Sequence, residues 1–84
     1  MNLEPEQLLE AMVKELADHP EQVRIESHIG ESTATFDIHV ALSDVGKVLG
    51  RQGSHAMALR TLFNAVYGKR GKRLHLQVVD PQRR

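Results

Sequence analysis

Gly50-Arg51-Gln52-Gly53 is the stretch of this 84-residue chain whose residue types and spacing best suit chemistry. Two glycines three apart let a backbone turn sharply and approach a ligand closely. The residues between them are polar and include one arginine. Lys47 lies one helical turn earlier, and Ser54 and His55 open whatever follows. If a helix follows, its first N–H groups and the positive end of its dipole face the glycines, an arrangement suited to phosphate. The same spacing is also what a plain helix–helix turn needs for its dihedral angles.

Other candidates are weaker. Lys69-Arg70-Gly71-Lys72-Arg73 is a dense basic cluster, read as cations complementing the C-terminal end of a helix dipole. Arg83 and Arg84 form a short tail expected to be disordered. His28, His39 and His75 fall at alternate positions of strand-like runs and share a polar face. No carboxylate or histidine stands at a helical or hairpin spacing that closes a ligand set, so no metal is expected. There is no cysteine, which excludes disulfides and thiol chemistry. No Ser–His–Asp set can be picked out by spacing. There is no Walker loop, and Gly46 to Gly53 does not follow the dinucleotide pattern. No catalytic residue and no cofactor are therefore assigned, and the chain is read as no enzyme.

The elements that must position the glycine segment follow from periodicity. Leu8, Leu9, Met12, Val13, Leu16 and Ala17 recur as one helical face. Glu4 caps that helix, Pro5 takes its first position, and Leu3 and Leu8 stand as a hydrophobic staple. Pro20 stops it. Val23, Ile25 and Ile29, then Ala34, Phe36, Ile38 and Val40, alternate with polar residues, which predicts two strands. Gly30 and Glu31 predict a tight hairpin between them. Ser43 or Asp44 caps a short helix that turns Val45, Val48 and Leu49 inward. A third helix runs from Ser54 to Tyr67, with Leu59, Leu62, Phe63 and Val66 on one stripe and Gly68 as its stop. Leu74, Leu76 and Val78 mark a last strand, ended by Pro81.

The order is thus α-β-β-α-α-β. About thirty residues and two helices separate the second and third strands, enough for a right-handed crossover between parallel strands. The expected fold class is α+β. It is a single domain with its core between about residues 8 and 80, built as a three-stranded mixed sheet with three helices on one face. With 40% hydrophobic and 26% charged residues, the chain has the balance of an ordinary globular domain. No apolar run reaches the roughly 18 residues of a membrane span, and the acidic start is unlike a signal peptide, so a cytoplasmic protein with no membrane partner is expected.

The zero net charge conceals a split. Residues 1–42 carry two bases against nine acids, and residues 43–84 carry nine bases against two acids. A basic half invites an anionic partner, while an acidic half discourages one elsewhere. The three aromatics, Phe36, Phe63 and Tyr67, sit at or near core positions, so bases cannot be gripped on a row of exposed rings.

These residues carry a resemblance. Val48-Leu49-Gly50-Arg51-Gln52-Gly53 resembles the GxxG loop of a KH domain, and the element order is that of the type II KH fold. Asp44 to Gly53, followed by Ala58-Leu59-Arg60-Thr61-Leu62, is especially similar to the KhpA family of small bacterial stand-alone KH proteins. The resemblance spans about Leu8 to Asp80. It implies single-stranded RNA held in a groove beside the loop, and a role as a post-transcriptional regulator or RNA chaperone. Gly50, Arg51, Gln52 and Gly53 would hold phosphates, with Lys47 and Ser54 at the flanks. Val48 and Leu49 would line the helix side of the groove, and Phe36 and Ile38 would anchor its sheet side from within the core. Ser54 stands where family members often carry a basic residue, which implies weaker RNA affinity. The resemblance also implies self-association as a homodimer, or pairing with the larger KH protein KhpB (Jag). The alternative reading is a protein-interaction adaptor whose third helix recruits a partner through Leu62, Phe63, Val66 and Tyr67.

Overall fold

The computed structural model describes residues 4–81; Leu3 of the expected staple and the Arg83–Arg84 tail lie outside the described residues. Helix α1 spans Pro5–Leu16, strands β1 and β2 span Arg24–Ile29 and Thr33–His39, and helix α2 spans Val45–Leu49. Helix α3 (Ser54–Gly68) and strand β3 (Arg73–Val79) complete the fold. Short 3-10 turns at Pro20–Gln22, Leu42–Asp44 and Arg51–Gly53 join them. The order and fold class are those the sequence predicts.

The sheet runs β1-β2-β3. β1 and β2 pair antiparallel, with Ile25 opposite Ile38 and Ser27 opposite Phe36. β2 and β3 pair parallel, with Phe36 beside Leu76 and Ile38 beside Val78. The Gly30 N–H donates to the Thr33 carbonyl at 2.8 Å and closes the hairpin. Strict alternation along β2 buries Ala34, Phe36 and Ile38 on the helix side and leaves Thr35, Asp37 and His39 partly open on the other.

The core gathers Leu9 and Val13 of α1, Val48 of α2, Leu59, Phe63 and Tyr67 of α3, and the inward residues of β2 and β3. Phe36 is fully buried and meets the Tyr67 ring at a centroid distance of 5.5 Å. Truncating Phe36 to alanine is expected to cost about 3–5 kcal/mol. The buried stripe of α3 is Ala56, Leu59, Phe63 and Tyr67. This corrects the expected stripe: Leu62 is 46% exposed, and Tyr67 lies inside. Two other expected core positions open to solvent, Leu8 on the flank of α1 and Ile29 at the end of an edge strand.

Helix α1 ends at Leu16, the residue whose carbonyl the Pro20 ring would block. Asp44, which is fully buried, fixes the chain that follows. Its carboxylate accepts the Asp18 N–H at 3.0 Å and the His19 N–H at 2.9 Å. Asp44 is the residue before α2, yet its side chain makes no capping bond there, contrary to the expected cap.

Candidate nucleic-acid interface

Helix α2 stops at Gly50, whose φ of 78° is open to glycine and costly for other residues. The chain then makes a tight turn in which Gln52 (φ 56°) and Gly53 (φ 77°) are both left-handed. The Gly53 N–H donates to the Gly50 carbonyl at 3.0 Å, and the Ser54 N–H donates to that of Arg51. Arg51 and Gln52 are exposed at the tip. The two glycines are needed for different reasons. A Cβ on Gly50 would stand 2.5 Å from His55 Cγ and 2.8 Å from the His55 nitrogens N and Nδ1. A Cβ on Gly53 would meet nothing within 4 Å, so Gly53 serves only the dihedral angle. The His55 ring lies across Gly50 and places Nδ1 2.9 Å from the Lys47 carbonyl. A carbonyl only accepts, so Nδ1 carries the proton. His55 therefore ties the first turn of α3 back to the end of α2. Beyond the loop, the start of α3 carries the positive end of its helix dipole.

The expected site residues fall into three groups. Gly50, Arg51, Gln52, Gly53 and Ser54 form the turn, and Leu49 is half-buried at its base. Val48 is fully buried in the core. It braces the loop from beneath and does not line an open groove, which corrects the expectation for its side chain. Lys47 is half exposed, and its ammonium lies 2.8 Å from Asp18 Oδ2. The hydrogen bond to Asp18, aided by that carboxylate's charge, raises the Lys47 pKa above its usual value. Burial alone would raise the Asp44 pKa. The two N–H donors from Asp18 and His19, with the charges of His19 and Lys47, outweigh it and leave the Asp44 carboxyl below its ordinary range.

On the sheet side, Phe36 and Ile38 are fully buried, as expected of anchors within the core. The open cleft is a groove of about 580 Å³ between α3 and the edge of β3, lined by Thr35, Arg60, Leu74, His75, Leu76 and Gln77. Arg60, about two turns into α3, donates from Nε to the Leu76 carbonyl at 3.0 Å. Sequence reasoning missed the long-range partners of Arg60, Asp18 and Asp44. Each acts on a residue 16 or more positions away, and no local spacing signals such a pairing.

The profile of the KhpA/KhpB KH domain matches residues 6–78. The chain belongs to the KhpA/KhpB family. Among its relatives, the RNA-binding protein KhpA of Listeria monocytogenes is 39% identical over 75 residues, covering 89% of this chain and 99% of the relative. The KhpA proteins of Borreliella burgdorferi and Aquifex aeolicus are each 38% identical, over 88% and 87% of this chain and 90% and 92% of their own length. No solved structure gave a significant match.

Two further surfaces complete this KhpA/KhpB domain. The polar sheet face brings ligand atoms of Glu26, His28 and Asp37 within 4.8 Å of one another. The hairpin register thus assembles a grouping that linear spacing did not reveal. Both carboxylates are already engaged, Glu26 with Arg24 and Asp37 with Gln77 Nε2 at 2.8 Å. On the outer side of α3, Leu62, Ala65 and Val66 floor a groove of about 490 Å³ flanked by Lys69 and Arg70. Phe63 and Tyr67, expected at a partner contact, are buried in the core and unavailable to it. Among the described residues, no helix is long and apolar enough to cross a membrane.

Proposed function

We propose that this KhpA/KhpB domain binds single-stranded RNA, with the backbone held at Gly50-Arg51-Gln52-Gly53 and the adjoining nucleotides running along the helices beside it. The carrying observation is the loop itself: two left-handed residues expose Arg51 and Gln52 in front of the first turn of α3. That turn offers positive dipole potential, and the glycines let a phosphate approach the loop closely. Lys47 and Ser54 flank the contact, Leu49 supplies aliphatic surface, and Val48 keeps the loop rigid. The names of the KhpA relatives, RNA-binding proteins, support the reading. No catalysis, metal or cofactor takes part in it. The setting it fits is the bacterial cytoplasm, as a post-transcriptional regulator or RNA chaperone. A second KH chain, either another copy or a KhpB protein, would seat on the exposed Leu62 side of α3.

The test is a salt titration of binding to a short fluorescent single-stranded RNA. Log affinity should fall with log salt by about 0.7 per phosphate contact. Affinity that is flat with salt would replace this reading with that of an apolar protein adaptor.

A further inference from the structure

We propose that Asp18 is an internal stand-in for an RNA phosphate: it holds the Lys47 ammonium in the unliganded protein and gives it up when RNA binds. The inference rests on the RNA reading above and names the device that sets affinity at that site.

The geometry is specific. Lys47 stands one turn before Gly50, so its ammonium is the cation of α2 nearest the loop, and it lies 2.8 Å from Asp18 Oδ2. Asp18 belongs to a different part of the chain, the turn after α1. It is brought there by Asp44, whose buried carboxylate grips the Asp18 and His19 N–H groups from the start of α2. The segment that carries Lys47 therefore also fixes the acid that occupies it. Both side chains remain about half exposed, so a ligand can reach the pair and exchange with it. A carboxylate oxygen and a phosphodiester oxygen offer a lysine the same charge-assisted acceptor. Lysine binds as a point charge, with no planar fork to realign, and can pass from one acceptor to the other. Exposed ion pairs contribute little net stability, so the exchange is cheap.

Two consequences follow. RNA must displace Asp18 before it gains Lys47, which holds affinity down. The released carboxylate recruits a counterion as the phosphate sheds one, so Lys47 contributes nothing to the salt dependence of the parent protein.

The experiment measures RNA binding against salt for the parent, Asp18→Asn, Lys47→Met and the double variant. Asp18→Asn should raise affinity by about threefold to tenfold and steepen the salt slope by about 0.7, the value of one added phosphate contact on a single strand. In the Lys47→Met background the same change should do nothing. Glu21→Gln removes a neighbouring acid and should match the parent within about twofold, separating this exchange from a general change in net charge. Folding is safe because Asp44 grips the Asp18 backbone, not its side chain. Asp18→Ser should repeat the result. A parent that binds RNA with the expected salt slope, but an Asp18→Asn that binds no better, overturns the exchange alone. An equal gain in the Lys47→Met background also overturns it, as would a gain from Glu21→Gln as large as that from Asp18→Asn. A parent that binds no RNA overturns both this inference and the RNA reading.

Discussion

Helix α3 has a Gly-x-x-Gly segment at each end, Gly50-Arg51-Gln52-Gly53 before it and Gly68-Lys69-Arg70-Gly71 after it. The second is the more basic, yet its place on the helix is less suited to phosphate. It follows the negative end of the helix dipole, where cations are favoured and anions are not. Backbone bonds do not separate the two: the Gly53 and Gly71 N–H groups each donate to the first glycine carbonyl of their segment at 3.0 Å. Two cations in and beside it are engaged. Arg70 lies over the Tyr67 ring at 5.6 Å, and Lys72 reaches the Gly30 and Glu31 carbonyls of the β1–β2 hairpin. At the first segment Arg51 and Gln52 stand exposed before a helix start. On the RNA reading proposed above, the same spacing serves binding only at the end of the helix whose field agrees with the ligand.

The sharpest break of this comparison is a charge reversal at each end. Arg51→Asp with Gln52→Asp should lower RNA affinity on the order of a hundredfold, because two negative charges face the incoming backbone. Its melting temperature should move by only a few degrees. Lys69→Asp with Arg70→Asp should show the opposite pattern, with a lower melting temperature and far less effect on RNA. Equal RNA losses from the two pairs would mean that net charge, not helix polarity, governs binding.

The glycines give the next largest difference. Gly50→Ala drives a methyl into His55 as well as forcing a left-handed alanine, and should destabilise the domain by about 3 kcal/mol or more in denaturant titrations. Gly53→Ala and Gly71→Ala meet open space and should cost only the dihedral term, about 1–2 kcal/mol each. Similar losses at all three would remove the role given to His55.

Asp44 sharpens the contrast from the side of α2. Its folded pKa lies below the ordinary range. The stability it supplies is therefore full above the unfolded carboxylate pKa and is lost as pH falls through the folded value. Asp44→Asn should lower the melting temperature at neutral pH by about 10 °C, and the gap should close in acid. A gap that is constant with pH would show that the carboxylate charge is not what holds the Asp18–His19 turn. The smallest effect belongs to Gln52. Its left-handed backbone is costly for a long side chain and easier for asparagine, so Gln52→Asn should raise stability by about 0.5 kcal/mol.

Much of this arrangement was legible from local pattern. Alternation in Val23–Ile29 and Ala34–Val40 marks the two strands, and the long α2–α3 connection marks a parallel third. Gly50 and Gly53 were recognisable as a turn, although the recurrence of their spacing at Gly68 and Gly71 shows that spacing alone does not choose between the ends. The core placement of Tyr67 holds through its packing on Phe36, whereas Leu62, expected on the buried stripe, is exposed. Gly68 ends the helix as expected, while the left-handed glycine that reverses the chain is Gly71. Asp44 could not be read at all, since its partners are 25 and 26 residues away and a carboxylate with two backbone donors looks in sequence like any helix cap.

The parallel pairing of β2 with β3 sets an order of assembly. β2 finds β1 across a tight turn, but its other neighbour begins at Arg73, forty residues beyond Thr33. Non-local pairing of this kind is slow to form. During translation at about 5–20 residues per second, β2 waits for roughly two to eight seconds with its inner edge unpaired. An open strand edge beside an apolar face is a template for aggregation. The glycine loop lies inside that waiting interval, so its two helices are made before the strand that fixes them against the sheet. The nascent chain is thus most vulnerable while α2, the glycine loop and α3 are being synthesised, and β3 is the strand that makes the domain safe.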